Sequence, residues 1–63
     1  MKLVDLLNVI TCDYMIGVNN GTEFIEEFDS TATEKRVKYR ESIVTGVHIL
    51  NEDMIAINVD VNM

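Results

Sequence analysis

The chain has 63 residues and a net charge of −6, with 48% hydrophobic and 25% charged residues, one cysteine and no proline. That length predicts one domain, residues 1–63, near the lower limit for a core unsupported by disulfide or metal, and the hydrophobic content excludes a disordered tail. Cys12 has neither a cysteine partner nor a companion at metal-ligand spacing, the opening "MKLVDLLNVITCD" lacks the continuous apolar run of a signal peptide, and no stretch reaches the roughly 20 apolar residues of a bilayer span, so a cytoplasmic protein without a membrane partner is expected.

Leu3, Leu6, Leu7 and Ile10 recur at helical spacing, Val4 and Val9 widen the stripe, and Asp5 and Asn8 lie opposite. The spacing predicts a helix of about two to three turns ending near residues 11–13, too short to stand alone and therefore laid on a sheet. From Tyr14 the period changes to two: Tyr14, Ile16 and Val18 alternate with Met15 and Gly17 as far as the turn signal Asn19-Asn20-Gly21. A two-residue turn at Asn20-Gly21 would set Val18 against Glu23 and Met15 against Glu26, mixing charge into both faces. A three-residue loop, Asn19 to Gly21, pairs Val18 with Thr22, Ile16 with Phe24 and Tyr14 with Glu26. It gathers Tyr14, Ile16, Val18, Phe24 and Phe28 on one face with only Glu26 in conflict, and is the preferred register. Phe24, Ile25 and Phe28 also fit one turn of helix. The strand is favoured because the Asn-Gly turn needs a partner.

In the connector "DSTATEKRVKYRES", Thr31 and Glu34 have the spacing of a capping box, which predicts a short helix toward Tyr39. Against it, Val37 and Tyr39 alternate with Arg36, Lys38 and Arg40 in strand fashion, and a helical turn followed by an extended segment is expected. Two β-branched runs then flank Asn51-Glu52-Asp53. A three-residue loop there pairs Ile49 with Ile55, Val47 with Ile57, Thr45 with Val59 and Ile43 with Val61, all on one face. Val44, Gly46, His48, Leu50, Met54, Ala56, Asn58 and Asp60 take the reverse face.

The resulting expectation is an α+β fold, α-β-β-α-β-β. The N-terminal helix packs on a small antiparallel sheet of two β-hairpins joined by a short connector helix, around a core of roughly fifteen to twenty large side chains. No nucleophile–base pair or convergent ligand set emerges for catalysis, metal or cofactor binding. His48 is the only imidazole and falls on the face away from the core; Cys12 has a carboxylate, Asp13, beside it where an activated thiol needs a cation; Glu52-Asp53 and the terminal "NVDVN" do not match a calcium loop; and Gly17–Gly21 lacks the lysine and helix of a phosphate cradle. The tripeptide Asn20-Gly21-Thr22 is a chance sequon in a cytoplasmic protein. A non-enzymatic protein with no cofactor is expected.

Charge is uneven. Residues 1–34 carry seven acids and one lysine, Lys35, Arg36, Lys38 and Arg40 form a basic knot, and four acids follow. Direct nucleic-acid binding is disfavoured by the net charge, and a protein partner, basic in character, is favoured. Glu23, Glu26, Glu27 and Asp29 read either as a solvated edge or as a partner-binding set that imitates phosphates, with the basic knot partly neutralising them. Val44, His48, Leu50, Met54 and Ala56 read either as a surface patch or as a face for self-association, and the second is favoured, since a small chain gains burial by forming a homodimer.

The succession "MKLVDLL", "YMIGVNNGTEF" and "VHILNEDMIAINVDV" resembles small phage- and prophage-type proteins of Gram-positive bacteria. That resemblance implies a protein without assigned activity that works through its surface. Some small acidic phage proteins inhibit host defence, anti-CRISPR proteins among them, by occupying basic nucleic-acid channels. An acidic inhibitor of that kind is the alternative to a general interaction protein, and a small regulatory or ligand-binding module is the third reading.

Overall fold

A computed structural model describes residues 1–62. The chain forms α1 (Leu3–Leu7), β1 (Asp13–Asn20), β2 (Glu23–Asp29), α2 (Thr33–Lys38), β3 (Ile43–Asn51) and β4 (Met54–Asp60). The α+β class and the order α-β-β-α-β-β are those expected. The four strands make one sheet in the order β2-β1-β4-β3. Each hairpin is antiparallel, as alternation and turn signals require, but they meet through β1 and β4, which run parallel. The sheet is therefore mixed, not antiparallel throughout. Its cause is the α2 crossover, which carries the chain from β2 at one edge to β3 at the other and leaves the first and last strands side by side, pointing the same way.

The parallel pair sets Tyr14 beside Ile55, Ile16 beside Ile57 and Val18 beside Val59. Ile16, Val18, Ile57 and Val59 are fully buried with Leu3 of α1, and Tyr14, Phe28 and Tyr39 complete the core. Leu6, Leu7, Ile10, Ala32, Val44 and Ile55 pack around it. Both helices thus serve the same sheet face. The other face carries Met15, Gly17, Ala56 and Asn58, all half-buried by their neighbours in the sheet.

Both hairpins depart in register from the pattern-based expectation, and the first departs more. Its turn is Gly21-Thr22, with Asn20 opposite Glu23, instead of a loop of Asn19 to Gly21. Gly21 has φ +64°, the only positive φ among the described residues, which suits the first central position of a two-residue type II′ turn. A bulge at Ile25 then moves the register by one, so Val18 faces Glu26 and Ile16 faces Phe28. Phe28 stays in the core, whereas Phe24 leaves it and is 61% exposed. Asp60, at the end of β4, fixes this turn: its carboxylate accepts from Gly21 N at 3.2 and 3.3 Å and from Asn62 N at 2.7 Å.

In the second hairpin Ile49–Ile55 and Val47–Ile57 pair as expected, but Asn51 faces Met54 across Glu52-Asp53, and the Asn51 side chain accepts from Asp53 N at 2.8 Å. Leu50 is extra on one side of this turn. Thr45 is extra further along, so Val44, not Thr45, meets Val59, and Ile43 meets Asp60.

The helices are short. α1 ends at Leu7, one turn before Thr11, and its start is bonded to the entry of β3: Leu3 N donates to Ser42 O and Val44 N to Met1 O, both at 2.8 Å. α2 is helical through Lys38, where an extended segment was expected, and Tyr39 and Arg40 form a turn. The capping box does not form. Thr31 bonds instead to Asp29, donating from N at 3.0 Å and from its hydroxyl.

Candidate functional site

A four-stranded sheet has two edges, and here they differ. The β2 edge carries Glu23, Glu27 and Asp29 and is broken by the Ile25 bulge, two devices that stop another strand from docking. The β3 edge has bulges at Thr45 and Leu50, but between them Gly46 to Ile49 run in regular register, and the edge lacks the acids of β2. Met1 and Lys2 cover its start, with Lys2 bridged antiparallel to Ile43. From Thr45 to Asn51 the outer side pairs with no other strand among the described residues, and these seven positions hold no acid, lysine, arginine or proline.

The same stretch exposes apolar side chains. Val47 is 48% exposed, Ile49 80% and Leu50 52%, although Val47 and Ile49 share the face that elsewhere forms the core. The pairing pattern places both against Ile57 and Ile55 and so assigns them to the interior. The helices do not reach them.

The acids proposed from sequence as a partner-binding set are not one surface. Glu23 and Glu27 are exposed. Glu26 is half-buried on the helix-covered face, ion-paired to Lys35 Nζ at 2.8 Å and accepting from the Tyr39 hydroxyl. Lys35 first, and Tyr39 second, hold the Glu26 carboxyl below the usual carboxylate range. Reciprocally, the bond to Glu26 and burial push the Tyr39 phenol up to about 12. Tyr39 also stacks on Phe28, ring centroids 5.9 Å apart, with Lys38 Nζ 5.2 Å above its own ring. Asp29 is occupied by Thr31, whose hydroxyl and backbone N–H lower its pKa. The Glu26 conflict in the sequence pattern is thus resolved by the basic segment itself.

The residues assigned to a self-association face also separate. His48 and Ala56 are directly paired across β3 and β4 on the uncovered face, and Met54 lies on that face two residues before Ala56. Val44 is turned to the core by the Thr45 bulge, and Leu50 sits in the bulge beside the second turn. Cys12 is half-buried and unpaired. Among the described residues no group of three or more His, Cys, Asp or Glu side chains is placed to hold a metal ion, and no helix is long and apolar enough to cross a membrane.

No protein-family model, curated protein or solved structure matches the chain.

Proposed function

We propose that the protein is a non-enzymatic interaction protein that acts as a homodimer, two copies pairing antiparallel along β3. The observation that carries this reading is the uncharged, uncovered edge from Thr45 to Asn51, with Val47, Ile49 and Leu50 exposed upon it. Unpaired backbone groups on an edge strand are a template for another strand. A second copy is the occupant that fits best, because antiparallel pairing of one strand with itself is self-complementary about a two-fold axis. A seam centred on His48 places Val47 of each copy beside Ile49 of the other, covering the apolar side chains that the helices leave open. Two chains of net charge −6 can meet there because the seam contains no carboxylate, whereas the β2 edge would bring acids together.

The acidic-inhibitor reading would rest on Glu23 and Glu27, since Glu26 and Asp29 are engaged internally. A phage or prophage origin belongs to the same proposal and rests on the hydrophobic and turn pattern of the sequence.

Light scattering over a dilution series tests the dimer. A mass of two chains at high concentration and one on dilution is expected, and Val47→Lys with Ile49→Lys should hold the protein monomeric with an unchanged far-ultraviolet spectrum. The association should persist or tighten with added salt, which screens repulsion between acidic copies. A wild-type monomer throughout, or a double variant that still dimerises, would refute it.

A further inference from the structure

We infer that the groove between α1 and α2 binds a small organic carboxylate with an aliphatic body, a site apart from the β3 edge. The groove has a volume of about 330 Å³, within the range of small-ligand sites. Its apolar walls are Val4 and Leu7 from α1 and Val37 from α2, and Arg36 and Arg40 supply its charge.

Among the described residues neither arginine has a carboxylate within 4 Å, in a chain that has eleven acids and five basic residues, although Arg40 contributes from further off to lowering the Glu41 pKa. Among the described residues the ion pairs within 4 Å are Lys35–Glu26 and Lys2–Glu41, the latter at 2.9 Å, which also occupies the carboxylate next to Arg40 in sequence. Arg36 is held by neutral oxygens: Nη1 donates to the Tyr14 hydroxyl at 3.3 Å and Nη2 to Thr33 Oγ1 at 3.1 Å. Its Nε is buried with no acceptor. A half-buried guanidinium fixed in orientation on the groove wall, with only two of its five N–H donors used and no carboxylate within 4 Å, is arranged to receive an anion. Arg40, in the turn after α2, lines the same groove, so its positive charge adds to that of Arg36 there. The apolar walls add the second requirement, a hydrocarbon portion next to the anionic head. The size of the groove selects a small molecule over a protein surface.

Octanoate is a suitable probe. In a titration of the full chain followed by two-dimensional nitrogen–proton NMR, octanoate should shift the amides of Val4, Leu7 and Val37 and the Arg36 Nε–H resonance saturably. Inorganic phosphate, which lacks the aliphatic portion, and octanol, which lacks the charge, should each bind more weakly. Arg36→Gln and Arg40→Gln should each weaken octanoate by about tenfold while the amide spectrum remains dispersed. Arg40 is exposed, so its variant keeps the test sound if Arg36→Gln disturbs packing. No saturable shift with octanoate, shifts confined to residues outside the groove, or undiminished binding by Arg40→Gln would overturn the site. Phosphate or octanol binding as tightly as octanoate would overturn the ligand class.

Discussion

Ile57 and Ile49 lie on the same face of adjacent strands, yet substitution by alanine should affect them very differently. Ile57 is fully buried between β1 and β3, whereas Ile49 is 80% exposed. Removing three carbons from Ile57 forfeits about 2.4 kcal/mol of transfer free energy at roughly 0.8 per carbon, and the cavity raises the loss to about 3–4 kcal/mol. A domain of this length has a total stability of roughly 3–9 kcal/mol, so Ile57→Ala should bring the chain close to unfolding. Ile49 has only a fifth of its surface to lose, and the same arithmetic gives about 0.5 kcal/mol. Urea unfolding followed by circular dichroism reads both, with Ile57→Val, expected at about 0.5–1.5 kcal/mol, as a measurable substitute if Ile57→Ala has no folded baseline. The comparison belongs at the lowest workable protein concentration, because dimerisation through β3 would add a concentration-dependent loss to Ile49→Ala alone. Equal losses for the two isoleucines in dilute solution would refute the conclusion that the helices do not reach Ile49.

Stability should fall as pH rises from 10 toward 12, because the unfolded Tyr39 phenol releases its proton near its ordinary value of 10.0 while the folded one retains it to about 12. Tyr39→Phe should lessen that alkaline loss in thermal melts at matched pH. For Glu26 the sign is reversed: its lowered folded pKa supplies stability above its ordinary value of 4.5, lost as pH falls below it, and Glu26→Gln should flatten the acid limb. Gly21→Ala should cost about 1–2 kcal/mol in the same melts from left-handed backbone alone, since an added Cβ would meet nothing within 4 Å; a neutral result would contradict the positive φ. Asp60→Ala should cost about 1–3 kcal/mol by leaving the Gly21 and Asn62 amides without their acceptor.

The order of elements was legible because each leaves a local signature: helical spacing at Leu3, Leu6 and Leu7, alternation at Tyr14, Ile16 and Val18, and turn residues between the strands. Register was less legible because bulges leave weaker traces than turns. A pattern counted outward from Asn51-Glu52-Asp53 stays correct through Val47, then fails at Thr45, where an inserted residue turns Val44 inward. In the first hairpin the Asn-Asn-Gly run offers several turns. The one formed begins at Gly21, a choice tied to Asp60, thirty-nine residues away, which accepts from its amide. The parallel joining of the hairpins is a long-range outcome with no local mark. Of the candidate surface, the acids were visible as a run, but the engagement of Glu26 by Lys35 and Tyr39 required the crossover that lays α2 over β2. The Val47 and Ile49 exposure was concealed by their pairing, since alternation reports which face a side chain takes and not whether that face is covered.

Coverage follows from helix length. At 1.5 Å per residue α1 spans roughly 8 Å and α2 roughly 9 Å, while strands of seven to nine residues span roughly 23–30 Å. Two such helices on one face of four strands cannot shield all of it, and where they stand decides what remains open. α1 is tied by Leu3 to the entry of β3, and α2 follows β2 and leans on it through Tyr39 and Glu26. On their common face the two helices cover the centre of the sheet and leave two openings: the far half of β3, and the space where the helices face each other. The first is apolar because β3 alternates as a core strand does; the second is cationic because α2 uses Lys35 for Glu26 and leaves Arg36 and Arg40 toward α1. The exposed Val47 and Ile49 and the charged groove are therefore separate consequences of one feature, helices too short for their sheet. A longer α1 continuing through Ile10 would be expected to diminish the first without supplying the anion that the second lacks.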